Sequence, residues 1–188
     1  MSATSPSGVS ISGAHLAFGA GATQAGRIAM TEDEAFAALR GDDARLARRA
    51  EAALWELWHR AGDPDVDALL RRGIVALQQG ELAEAERLFD LVIARAPHFA
   101  EGWNKRATVR YLAKSYRGSI EDCRETLARN PRHFGALSGQ GLCHLALGEH
   151  REAAALFRRA IAVHRHLEGA RHNLAVALGE AVRGNGHS

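Results

Sequence analysis

The sequence predicts an all-α protein built as a stack of helical hairpins. Three observations carry that expectation. First, the chain repeats itself at a spacing of 34 residues: Leu69, Trp103 and Leu137 fall in register, as do Gly73, Ala107 and Gly141. The same period aligns Ala85, Ser119 and Ala153, then Phe89, Cys123 and Phe157, then Ile93, Leu127 and Ile161. Second, each period holds two segments whose apolar residues recur three and four positions apart, the spacing of one helical face. Third, the segments are punctuated by Gly80 and Gly148 inside their units and by Pro97 and Pro131 at the unit ends, where a helix is hard to continue.

Taken in order, the elements begin at Thr31. Its hydroxyl and Glu34, three residues on, form a capping-box pattern for a short helix ending at Gly41. Asp42 or Asp43 caps a longer helix with an apolar face of Leu46, Ala50, Ala53, Leu54, Leu57 and Trp58, stopped by Gly62-Asp63-Pro64. Residues 31–63 lie outside the register and are expected to be capping helices that shield the open apolar end of the first repeat, as terminal units of a stack must. Asp65 or Asp67 starts the next helix. It carries Leu69, Leu70, Ile74 and Leu77, and a second helix runs from Leu82 to Arg95. Helices near Ala100–Ala113, Tyr116–Arg129, Phe134–Leu147 and His150–His164 follow, so the three units occupy about 66–99, 100–133 and 134–167. A last helix over 168–182 has no partner after it and reads as a solvating cap, completing a repeat domain of 64–183. Residues 1–30, rich in Gly, Ala and Ser, and residues 184–188 read as disordered tails.

The small residues have a mechanical purpose. Antiparallel helices approach within about 8 to 10 Å only where the crossing side chains are small. Gly73, Ala107 and Gly141 belong at the crossing, faced by Ala85, Ser119 and Ala153. Phe89 and Phe157 should then fill the space against the following helix. Three positions depart from the pattern. Lys114 stands where Gly80 and Gly148 end their helices, Arg165 stands where the prolines close their units, and Cys123 replaces a Phe and leaves the middle unit with a smaller core.

A large residue, a small one, Ala, Phe and then Pro at this period resembles the tetratricopeptide repeat, and the order of motifs is similar to that of small bacterial proteins of this family. The resemblance implies a right-handed α–α superhelix of three hairpins with capping helices at both ends. It also implies a concave face, lined by the first helix of each unit, that takes an extended peptide or a partner helix. On that register the partner-binding positions are Arg71 in the first unit, Glu101, Asn104, Lys105 and Thr108 in the second, Ser138 and Leu142 in the third, and His172 and Asn173 in the cap. Gly135 and Gly139 leave a shallow trough over Leu142. Asn104 and Lys105 are expected to contact the partner, Trp103 to anchor the core, and Arg106 to solvate its helix. The chaperone-binding branch of the family grips a C-terminal carboxylate with Lys, Asn and Arg. The matching positions here hold Leu70, Ile74, Lys105, Gly135 and Gly139, so that clamp is not expected.

Composition narrows the function further. With 24 basic and 22 acidic residues the net charge is only +2, without the concentrated basic surface of a nucleic-acid binder. No apolar run approaches the roughly 18 residues of a membrane span, and the first 30 residues, without a basic start and with only short apolar runs, read as a poor secretory signal. Two cysteines, Cys123 and Cys143, read as small buried thiols in a reducing cytoplasm. The 10 histidines show no spacing typical of zinc ligands and read as surface residues. Phosphate loops and nucleophile elbows are missing, so neither catalysis, a cofactor nor a metal is expected. The expected function is a non-enzymatic adaptor binding a protein or peptide in its concave groove. The alternative is a structural protein whose repeats stack end to end into homo-oligomers.

Overall fold

The computed structural model describes residues 30–185. The tails expected at both termini therefore fall almost wholly outside the described residues. Within them lie nine α-helices: α1 (Glu32–Arg40), α2 (Ala44–Trp58), α3 (Pro64–Gln78), α4 (Leu82–Arg95), α5 (Ala100–Leu112), α6 (Tyr116–Arg129), α7 (Phe134–Ala146), α8 (His150–Val163) and α9 (Glu168–Asn185). The last runs a little beyond the bound expected from sequence.

Local chemistry explains the helix ends. Thr31 accepts from the Glu34 N–H while the Glu34 carboxylate accepts from the Thr31 N–H, a reciprocal box. Asp43 caps α2. The cap of α3 is Asp63, followed by Pro64 at the first turn, not Asp65 or Asp67. A proline there forfeits nothing, because its missing N–H has no partner in the first turn. Asp67 instead accepts the Ala61 N–H at 2.7 Å and ties down the link between α2 and α3.

α3–α4, α5–α6 and α7–α8 are antiparallel hairpins stacked in sequence, with α9 closing the far end. The glycines and phenylalanines of the register prove to be one device. A Cβ on Gly73 would stand 2.5 Å from the Phe89 ring, and one on Gly141 2.8 Å from the Phe157 ring. Each ring thus lies on the glycine of its own hairpin, rather than against the following helix as the pattern suggested. In the middle hairpin both partners change together: Ala107 supplies the Cβ and Cys123 removes the ring.

The N-terminal hairpin departs from expectation. Its apolar residues do not complete the exposed end of α3–α4. Phe36, Leu39, Leu54, Trp55 and Trp58 share one apolar cluster with Phe134, Leu137, Phe157 and Leu167 of the third hairpin and its flank. α3 and α4, with Ala96 and Phe99 of the loop that follows and Val109 of α5, form a separate cluster around Leu70, Leu88 and Phe89. The face α2 buries is Ala47, Ala50, Leu54, Trp55 and Trp58, while Leu46 and Leu57 from the expected face are exposed.

Lys114 takes the left-handed conformation, at φ 61°, that Gly80 and Gly148 take at φ 78° and 75°. A residue with a Cβ is strained there by about 1–2 kcal/mol, part of which glycine recovers and part of which it loses to its freer unfolded chain. Lys114→Gly should therefore stabilise the protein by about 0.5–1 kcal/mol in urea denaturation. An unchanged midpoint would contradict the strain.

Candidate functional site

Along the stack α3, α5, α7 and α9 approach one another, whereas the second helices stand further apart. The first helices therefore form the inner, concave side, where the sequence placed its partner-binding residues. Arg71 and His172 are exposed. Glu101, Asn104, Ser138, Leu142 and Asn173 are buried, and Lys105 keeps only 12 % of its side chain in solvent. The Thr108 hydroxyl is spent on the Asn104 carbonyl at 3.0 Å. Glu101 and Lys105 are covered by the end of α2, whose His59 and Trp55 lie against them.

Trp55 occupies the glycine trough: a Cβ on Gly135 would meet its ring at 2.8 Å. Its ring is edge-on to Phe134 at 5.4 Å, and the Lys105 ammonium stands 5.5 Å from its centroid. Trp58 stacks on the His133 imidazole at 4.3 Å. Outside these rings, α1 meets the loops between units. Arg132 lies over Phe36 at 3.9 Å and pairs with Asp33 at 3.0 Å, Arg165 pairs with Asp42, and His166 contacts the Gly41 carbonyl at 2.8 Å.

Beneath α2 lies a carboxylate sealed from water. Glu101 is 1 % exposed. Its Oε2 accepts from the Asn104 amide at 3.1 Å and meets His133 Nε2 at 3.0 Å. Its Oε1 has Lys105 Nζ at 3.1 Å and His59 Nε2, at the end of α2, at 3.3 Å. The Ala136 N–H donates to His133 Nδ1 at 3.0 Å, so a neutral His133 carries its proton on Nε2 and donates it to Glu101. Burial pushes the Glu101 carboxyl up, but Lys105 and the hydrogen bonds from His133 and His59 prevail and hold it well below its ordinary value. A small cavity of about 50 Å³ remains beside Trp55, between Leu77, Asn104, Tyr111, Cys123, Gly139 and Leu142. It lies where Cys123 has removed the ring present in the other hairpins.

The outer side of α5 is also polar. Arg106 forks onto Asp122 with bonds of 3.0 and 2.6 Å and reaches Asp90 at 2.7 Å, while Arg110 bridges Glu86 and Asp122 at 2.8 and 3.0 Å. Arg106 is thus a tie between hairpins and not a solvating residue. Trp103 is half-buried rather than a core anchor. Its ring lies between the Arg106 and Arg129 guanidiniums at 5.0 and 4.7 Å, and its N–H donates to the Pro97 carbonyl at 3.0 Å.

Sequence reasoning missed Trp55, His59 and His133, and took the histidines as surface groups. His133, His144 and His164 are buried, paired with Glu101, Glu149 and Glu51 at 3.0, 2.6 and 3.3 Å. Among the described residues no group of three His, Cys, Asp or Glu side chains is arranged to hold a metal, and no helix is long and apolar enough to cross a membrane.

A family model described as tetratricopeptide repeat matches residues 33–99 and 104–170. The first match takes in α1–α2 together with α3–α4. A TPR repeat-containing protein of Rhizobium etli is 37% identical over 82 residues, 44% of this chain and 40% of the relative, so the chain spans less than half the length of that relative. Among solved structures, the Sgt2 TPR domain from Aspergillus fumigatus superposes with a TM-score of 0.63 at 18% identity, over 65% of this chain and 83% of that one. The first TPR of Spaghetti (RPAP3), bound to an HSP90 peptide, superposes at 0.61 with 20% identity, over 62% and 93%. The TPR2B domain of yeast Sti1, in a complex with an Hsp70 peptide, gives 0.58 at 18% identity, over 64% and 99%.

Two outcomes follow from the buried groups. Because the Glu101 carboxyl is depressed in the folded protein, its contribution is present above the ordinary value of 4.5 and is lost as pH falls below it. Glu101→Gln should cost about 3–5 kcal/mol at neutral pH by leaving Lys105 unpaired. In denaturation curves taken across pH, the gap to wild type should narrow below that value. The thiols offer a second check. Burial pushes Cys123 well up and Cys143 up to about 11, so both should resist a thiol reagent in the native protein at pH 8 and react once it is unfolded.

Proposed function

Because this chain belongs to the tetratricopeptide repeat family, we propose that it is a non-enzymatic interaction module that binds a protein segment, a peptide or a partner helix, on its concave side. The observation that carries this reading is the seating of α2. A helix already lies across the inner ends of α5 and α7, with one aromatic ring in the Gly135 trough and another stacked on His133. A surface that accepts two large aromatic rings from its own chain has the shape and apolar character of a helix-binding groove. The cavity beside Trp55 extends that surface toward α3.

The ligand class differs from that suggested by the solved neighbours. Spaghetti and Sti1 are described with HSP90 and Hsp70 peptides, but the positions of the carboxylate clamp here are Leu70, Ile74, Gly135 and Gly139 around a single Lys105. That Lys105 is already paired with Glu101. We therefore assign recognition to apolar contact and not to the capture of a terminal carboxylate.

Gly139 provides the test. A Cβ there makes only an ordinary contact, 3.7 Å from Cys123 Sγ, and Gly139 is not fully buried, so Gly139→Arg should fold with its stem across the recess and its guanidinium in water. Peptides selected from a displayed library on the wild-type protein should lose about tenfold or more in affinity for the variant, equivalent to about 1.4 kcal/mol, at an unchanged melting temperature. Peptides that keep their affinity would place binding outside the groove.

A further inference from the structure

We propose that the cradle under α2 is an exchangeable surface, that α1–α2 is its resident competitor, and that the outside partner is an acidic amphipathic helix bearing two aromatic residues three positions apart. This rests on the reading of the concave side as the binding surface and adds what the partner must resemble and what it must displace.

The shape of the partner is read from the resident. Trp55 and Trp58 stand three apart, so on a helix they share a face. The cradle fits both: Gly135 makes room for the first ring, and the His133 imidazole offers a flat surface to the second. The charge is read from the rim. Arg132 and Arg165 receive Asp33 and Asp42 from the hairpin, so an acidic segment completes the site.

Exchangeability is read from how the hairpin is held. The indole N–H groups of Trp55 and Trp58 are buried with no acceptor in reach among the described residues. A buried donor left in that state offsets part of the gain from burying its ring. The rim pairs are largely solvated, with Asp33 and Asp42 about nine-tenths exposed, and such pairs contribute little. The covalent link between the hairpin and the stack is residues 59–63, where Gly62 takes φ 84°. It also has a second place to go. The family match treats α1–α2 as a hairpin in series with α3–α4, and a hairpin in series would stack on the end of α3–α4 that this arrangement leaves uncovered.

The probe is a labelled peptide of residues 30–60, titrated by fluorescence anisotropy against the full-length protein. Two variants weaken the resident: Asp33→Arg with Asp42→Arg at the rim, and Trp58→Ala in the seat. A groove open for only a fraction of the time weakens apparent affinity by that fraction. Each reversal replaces a weak attraction with a repulsion of similar size against Arg132 or Arg165, so the peptide should bind the charge-reversal variant about tenfold more tightly than wild type, while a peptide with both tryptophans replaced by alanine binds neither. Trp58→Ala should behave like the charge reversal; were it to unfold, the rim variant alone decides. Equal affinity for wild type and the rim variant, or no binding to either, overturns the exchange. If Gly139→Arg nonetheless abolishes binding of the selected peptides, the groove reading survives and only the exchange falls. If neither experiment shows an effect, both fall.

Discussion

A single carboxylate organises this molecule. Glu101 has no access to water, and an ionised group so placed must find its partners within the protein. It finds them in three parts of the chain. Asn104 and Lys105 come from its own helix, His133 from the start of the next hairpin, and His59 from the end of α2. The position of α2, the approach of α5 to α7 and the tautomer of His133 all bear on the same two oxygens. The aromatic contacts surround this cluster and keep it dry. Trp58 stacks on the histidine that donates to the carboxylate, and the Lys105 ammonium shares its charge between the carboxylate and the Trp55 ring. Displacing the hairpin would remove His59 from Glu101 and expose the site to water, so the polar cluster and the aromatic seat act together.

The repeat architecture was open to sequence reading because it repeats. A glycine matched to a phenylalanine sixteen positions later, twice, follows from two helices touching at one crossing, and the period exposes it. The placement of α1–α2 has no such signal. Its two helices fall outside the register, and α2 is apolar on more than one face, so spacing alone did not choose between Leu46 and Leu57 and the face that carries Trp55. The trough at Gly135 and Gly139 was visible in the sequence, and the ring that fills it was present in the same chain. Nothing local joins the two, because the contact spans distant segments. Trp103 misled for another reason. Its register position is held by leucine in the other hairpins, but the guanidiniums of Arg106 and Arg129 draw its ring to the surface.

The middle hairpin shows what happens when the apolar crossing is weakened. With Cys123 in place of a phenylalanine, it loses the ring that fills the crossing in the units on either side. Part of the deficit is met by the extra carbon of Ala107, and part by polar bonds. The Ser119 hydroxyl donates to the Ala107 carbonyl at 2.8 Å, and the Cys143 thiol donates to Ser119 at 3.2 Å. What is not filled remains as the cavity beside Trp55. The residue that reduces the core of one unit thus leaves a recess on its concave side.

α5 joins these features through helical geometry. Residues four apart lie about 40° from one another around a helix and residues five apart about 140°. Glu101 and Lys105 therefore share one face, Arg106 and Arg110 share another, and the two pairs point to nearly opposite sides. Lys105 stays on the inner side with Glu101, and Arg106 and Arg110 face outward to Glu86, Asp90 and Asp122. The outer pairs bind α4, α5 and α6 into one body. The inner cluster binds α5 to the loop before α7 and to the hairpin. The two apolar clusters lie on either side of this polar helix, so the ion pairs of α5 link them. Directional bonds of this kind fix orientation more strictly than apolar contact does. The two α5 residues that face the end of α2, Glu101 and Lys105, are therefore carried by a helix whose rotation is set on both of its faces.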